Sequence, residues 1–250
     1  MKAILTAAAL LAITCTTKGQ ENDLPPVKYT SNKGWSIYAI VQPLWYHQES
    51  LNNRLSQNGL PGFRRLTVPL GLGFSYLFKT GTELSLDLVG TSAHRSTPES
   101  ARYLFSSSLS MVDFSVRQSI AKINQATLYA MAGYGGSDQV MSIERKNTNN
   151  ASFNDAILTN NVTRLIQSDE YLSFGIGIRA LANEDERKAV TEYAMIEAGY
   201  RHQLGETWWQ NEFTLLEGGP NSVLRQFYVS FKYGVFLKGK QKAKSKNNSN

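Results

Sequence analysis

Cysteine is almost missing from this 250-residue chain, with one at Cys15, and histidine is scarce, with three. A lone thiol excludes a disulfide framework and a Cys-rich zinc module, and three scattered imidazoles leave little from which to assemble a metal site. Charged residues make up only 18%, and no stretch sustains helical periodicity. A mean hydropathy of −0.31 argues against a bundle of transmembrane helices. It leaves a transmembrane β-barrel open, because strands that alternate polar and apolar residues average to a value near that of a soluble protein. The 42% apolar residues and 19 glycines are enough for one sizeable domain.

The formal charge of +6 and the isoelectric point near 9.3 point to nucleic acid only until the charge is located. Lys2 and Lys18 lie near the N-terminus, and five lysines from Lys238 to Lys246 lie at the C-terminus. They account for seven of the 26 basic residues, leaving 19 against 20 acidic ones. A neutral body lacks the basic footprint that phosphate-backbone binding needs, so no nucleic-acid partner is expected.

Residues 1–19 run from Met1-Lys2 through the apolar stretch Ala3 to Ile13 into Thr14-Cys15-Thr16-Thr17-Lys18-Gly19, the pattern of a secretory signal peptide. The apolar run is about eleven residues, too short for a helix that needs roughly 20 to cross a bilayer. Cleavage after Gly19 removes the cysteine. The alternative is a lipoprotein acylated at Cys15, although Thr14 stands where a lipobox takes Gly, Ala or Ser. A polar linker, residues 20–34, follows.

From Trp35 onward the chain becomes alternating stretches divided by turn clusters. Leu66, Val68, Leu70, Leu72, Phe74, Tyr76 and Phe78 occupy seven successive positions at spacing two, opposed by Thr67, Pro69, Gly71, Gly73, Ser75 and Leu77. Lys79-Thr80-Gly81-Thr82 reads as a hairpin turn into Leu84, Leu86 and Leu88 against Glu83, Ser85 and Asp87. The scheme recurs at 171–180 and 227–237, and less regularly at 35–46, 103–120, 126–143, 190–201 and 208–216, with tight turns at Ala121 to Gln125 and His202 to Thr207. In the 103–120 stretch the apolar phase switches near Met111, which a β-bulge there would accommodate. Nine strands are plain. A weaker one at 158–167, turned by Ser168-Asp169-Glu170, makes the even number that a single-chain bacterial barrel takes. The fold class read from this pattern is all-β, a closed antiparallel transmembrane barrel spanning 35–237 with about ten strands, eight being the alternative. Residues 238–250 form a disordered Lys-rich tail.

A secreted barrel with an apolar ligand cavity would alternate too, with its apolar rows turned inward. The polar rows here favour Ser, Gly and Thr over the Lys and Glu of water-facing strands. Their few charges carry both signs: Arg65, Glu83, Asp87, Asp113, Arg117, Arg179, Glu197, Arg201, Glu212 and Lys232. Such a set suits mutual pairing in a crowded lumen. Trp35, Trp45, Tyr46, Trp208 and Trp209 fall at strand ends, where membrane girdles belong. On the phase of Trp209, Asn211 would face lipid.

The leader, the hairpin pattern and the final strand from Phe227 to Phe236 together resemble the small outer-membrane β-barrel superfamily of Gram-negative-type bacteria, which includes OmpA-like and OmpX-like proteins. That resemblance implies an integral protein of the cell outer membrane, with outer-membrane lipid and lipopolysaccharide as surroundings and the barrel-assembly machinery as a partner during biogenesis. It also implies a periplasmic C-terminus. Family members usually finish on an aromatic residue, whereas here thirteen residues follow Leu237.

Candidate chemistry is thin. His94, Ser96 and Glu99 form a His-x-Ser rim cluster similar to the pair of outer-membrane lipid A deacylases, in which His activates a Ser nucleophile. The plainer reading is a rim loop that meets lipid sugars or phosphates. Carboxylate pairs such as Glu83 and Asp87 suit acid–base work in the manner of an omptin-like protease, but charged ladders in a closed lumen are more often structural. Gly71-Leu72-Gly73, Gly133-Tyr134-Gly135-Gly136 and Gly175-Ile176-Gly177 precede no helix and no Lys-Ser or Lys-Thr, so they are strand glycines and not phosphate loops. No cofactor is implied. The reading adopted is a non-catalytic barrel with a filled lumen and a structural or surface-binding role.

Overall fold

The computed structural model describes residues 33–46, 49–57, 66–91, 94–95, 103–123, 126–145, 162–182, 189–211 and 225–239. In chain order the elements are β1 (Gly34–Val41), β2 (Leu44–Tyr46), α1 (Glu49–Gln57), β3 (Leu66–Thr67), β4 (Leu70–Leu77), β5 (Thr82–Gly90), β6 (His94–Arg95), β7 (Tyr103–Ile123), β8 (Ala126–Arg145), β9 (Val162–Ala182), β10 (Val190–Gln210) and β11 (Arg225–Lys238). All pairings are antiparallel. The sheet closes when β1 meets β11, in register from Gly34 opposite Lys238 to Val41 opposite Phe231.

Three of the eleven strands are short continuations, so the wall has eight strands, the lower of the two counts the sequence allows. Proline lacks the N–H that a ladder needs. Pro43 therefore divides β1 from β2, and Pro69 divides β3 from β4. The ladder continues past both, with Gln42 N–H donating to Pro69 O at 3.0 Å and Val229 N–H donating to Pro43 O at 3.1 Å. Beyond Gly90, β6 resumes the wall of β5 by pairing His94 with Ser107.

Two expected turns lie inside strands. Ser168-Asp169-Glu170 runs straight through β9, so the segment around 162–167 is the upper part of that strand. His202 to Thr207 lies within β10, where the register slips between Leu204 and Trp208 around Gly205, at φ 79°. Both were polar because the wall there stands clear of any apolar solvent. At about 3.3 Å per residue and a tilt of about 40°, a 21-residue strand such as β7 rises roughly 50 Å, twice an outer-membrane apolar band of about 25 Å. The bulge expected near Met111 is absent as well. β7 pairs evenly with β8 from Tyr103 to Ser119, and its irregularity lies between Ser119 and Ala121. Phe105, Leu109 and Met111 point inward with Asp113, Ser115 and Arg117. The apolar phase switches because above Asp113 the inward positions Phe105, Leu109 and Met111 of this strand are apolar, while its outward ones, Ser106, Ser108 and Ser110, are polar.

Gly34 and Lys238 share one end with the three short connections, 78–81, 124–125 and 183–189. In the first of these, Gly81 takes a φ of 80° and Phe78 N–H donates to Thr82 O at 2.8 Å. The longer connections leave from the opposite end, and one of them carries α1. Leu51 and Leu55 on one face of that helix are buried against Phe105, Met141 and Trp209. Trp209 is therefore a lumen residue at 6% exposure and its neighbour Trp208 faces outward at 65%. This reverses the phase that would have turned Asn211 to lipid.

Candidate functional site

Every lumen-facing row of the lower barrel delivers polar side chains into a space too narrow for water to solvate them. Eight of the ten charged residues singled out from the sequence meet there: Glu83 and Asp87 from β5, Asp113 and Arg117 from β7, Arg179 from β9, Glu197 and Arg201 from β10, and Lys232 from β11. Each is 9% exposed or less. Arg65 and Glu212 lie outside the described residues. The signs balance four against four.

Arg117 is the hub. Its Nε donates to Glu197 at 2.6 Å, and its two terminal nitrogens donate to Glu83 and Asp87, each at 3.1 Å. Arg179 donates to the second oxygen of Glu83 at 2.5 Å and to Ser119 Oγ at 3.2 Å. Lys232 binds Asp87 at 2.6 Å and also Glu197. Tyr193 donates to Glu83 at 2.8 Å and Tyr38 to Asp87 at 2.6 Å, and their rings stack at 5.3 Å. Because β5 and β10 face each other across the barrel, these bonds tie opposite walls together. A buried ion pair loses hydration that only close, well-oriented partners restore, and Glu83, Asp87 and Glu197 each have at least two.

Above this layer Arg201 pairs with Asp113 and donates to Gln42 at 3.3 Å and to Gln226 at 3.4 Å. Its guanidinium lies 4.4 Å from the Tyr228 ring centre and 5.0 Å from that of Tyr171. Higher still, Gln203 and Gln167 donate to Asp169 at 2.9 and 2.8 Å. Sequence reasoning missed Tyr38, Tyr193, Gln42, Gln226 and Asp169. All stand on lumen phases, but a tyrosine alone does not declare its side, and Asp169 falls in a polar segment that reads as a turn.

The glycines explain how these tyrosines fit. Tyr38 is opposite Gly73, Tyr129 opposite Gly177, Tyr171 opposite Gly135 and Tyr228 opposite Gly199. A Cβ on Gly177 would meet the Tyr129 hydroxyl at 2.2 Å, and one on Gly73 would meet the Tyr38 ring at the same distance. Each tyrosine lays its outer ring edge against a bare backbone, which lets a narrow lumen hold large side chains.

The outer surface is the reverse of the lumen. Leu72, Phe74, Leu86, Phe114, Ile176, Ile196, Phe231 and Tyr233 are exposed, with Ile176 and Tyr233 at 61%. Aromatic clusters close this belt at both ends, Trp35, Tyr76 and Phe78 below (Trp35–Tyr76, 4.8 Å) and Tyr200 with Phe227 beside Trp45 above (Tyr200–Phe227, 5.0 Å). Trp35 and Trp45 sit ten positions apart on one wall strand. With the same rise and tilt, that is roughly 25 Å of height.

Of the rim cluster only His94 falls within the described residues. His94 lies in β6 beside Ser107 of β7, while Ser96 and Glu99 lie outside the described residues. Among the described residues no three His, Cys, Asp or Glu group as metal ligands, and no helix is long and apolar enough to cross a membrane.

No protein-family model matches the chain, and no curated protein matches its sequence. Solved structures similar to it are outer-membrane β-barrels. Ail, the attachment invasion locus protein of Yersinia pestis, in complex with the heparin analogue sucrose octasulfate, is 10% identical at a TM-score of 0.43, over 83% of this chain and 99% of its own. Neisserial surface protein A is 11% identical at 0.42, over 82% and 97%. The outer membrane protease OmpT from Escherichia coli is 8% identical at 0.34, over 83% and 96%.

Proposed function

We propose that this chain is an integral outer-membrane β-barrel, closed to solute flow, that serves as a rigid platform for its upper rim, with a surface-binding role and no catalysis in the wall. One observation carries the reading: the apolar rows are turned outward as a belt about as tall as the membrane's hydrocarbon layer, and the charged rows are turned inward and paired. A soluble barrel with a ligand cavity requires the opposite orientation. The ion network of the lower lumen and the seat of α1 in the upper mouth both oppose an open channel. On this reading residues 1–19 direct export, and the tail at 238–250 lies in the periplasm, on the side of the short connections. Outer-membrane lipid and lipopolysaccharide surround the belt, and the barrel-assembly machinery inserts it.

Two measurements test this. Membranes expressing the chain, washed with alkaline carbonate, retain it, and unboiled samples migrate differently from boiled ones on denaturing gels. Release into the wash as a soluble protein would reject membrane integration. Liposomes containing the purified barrel swell in sugar solutions no faster than empty ones, whereas porin-like swelling would reject the closed lumen.

A further inference from the structure

Above the apolar belt, on the outward face of β7, β8, β9 and β10, the wall carries a groove of about 690 Å³. Its register is simple. Asp138, Ser168 and Trp208 form one cross-strand row, and Gly136, Glu170 and Leu204 form the row beneath. Ser168 Oγ donates to Asp138 at 2.6 Å, and the Tyr134 hydroxyl bonds Glu170 from below. Gly136 leaves a notch, while the slip at Gly205 carries Trp208 past the edge of the groove at 65% exposure. Among the described residues lining it there is no lysine or arginine.

We infer that this groove binds the uncharged sugar headgroup of a membrane glycolipid. A pyranose presents an apolar C–H face and a rim of hydroxyls. Trp208 offers a flat apolar ring to the first, and Asp138 and Glu170 offer ionised acceptors to the second, in bonds stronger than neutral ones. Two carboxylates with no lysine or arginine among the described lining residues repel phosphate and sulfate. Strands about 4.8 Å apart put Asp138 and Trp208, two strands apart, about 10 Å from one another, room for two sugar rings. The source follows from position. The row below the groove contains Phe114, Tyr134 and Leu172 of the apolar belt, so a headgroup held here leaves its acyl chains lying along that belt. This inference rests on the membrane reading given above.

The test uses the full barrel in nanodiscs of phosphatidylglycerol mixed with diglucosyl-diacylglycerol, released and weighed by native mass spectrometry. The glycolipid is expected to be enriched on the wild-type protein about tenfold over its share of the disc. Enrichment falls to about its bulk share in Trp208→Ala and in Asp138→Asn, and persists in Trp45→Ala, an outward tryptophan elsewhere on the upper rim. All three substitutions face outward, and gel mobility before and after boiling checks that each variant has folded, so failure of membrane integration is read separately. Equal enrichment in all variants, preference for phosphatidylglycerol, or displacement by free diglucoside at the same concentration as the lipid would each overturn the inference.

Discussion

At Arg117 one guanidinium answers Glu83, Asp87 and Glu197 from two facing walls, at 1% exposure. Arg117→Met removes the positive charge but not the carboxylates, which have no water to turn to. The expected loss is about 3–5 kcal/mol, the penalty for an uncompensated buried charge, read from urea unfolding of the refolded barrel. A loss below 1 kcal/mol would mean that the lumen is wet. At Gly177 the constraint is steric. Gly177→Val drives a side chain into the Tyr129 ring and costs about 1–3 kcal/mol, and adding Tyr129→Ala restores part of it. These two sites differ in how readable they were. Arg117 could be assigned to the lumen because a charge in an otherwise greasy strand has one tolerable side. That Tyr129 lies over Gly177 depends on the register between β8 and β9, which alternation within one strand does not fix.

The strands announced themselves where they lie against the belt, since one face there is continuously apolar. They became unreadable above it. In β9 and β10 the upper segments face water outside and a mixed lumen inside, so Ser168 to Glu170 and His202 to Thr207 looked like turns. The count of ten came from dividing these two long strands. α1 escaped notice because nine residues with two buried leucines give too short a period to stand out. Its role can be checked directly. Replacing Leu51 and Leu55 with Asp should lift the helix from Phe105, Met141 and Trp209. Trp209 fluorescence then shifts to the red and becomes quenchable by iodide, while membrane integration is unchanged. An unaltered spectrum would show that the helix does not seat there.

For the whole molecule, one barrel wall separates two environments: outside, a belt bounded by Trp35 and Trp45; inside, buried ions of both signs. A positive charge should therefore cost most at mid-belt and little above it. Ile176→Arg is expected to lose about 2–4 kcal/mol in lipid bilayers and Ser108→Arg about 0–1 kcal/mol, from reversible unfolding in liposomes. The central claim, that hydrocarbon is what the outward rows touch, has a more direct test. Nitroxide labels on cysteines placed at Phe114, Ile176, Ile196 and Phe231 of the reconstituted barrel, with Ser106 as a position above the belt, report collisions with oxygen and with an aqueous nickel chelate. The account predicts high oxygen and low nickel accessibility at the four belt positions and the reverse at Ser106; a chelate that reaches Ile176 as readily as Ser106 would contradict it.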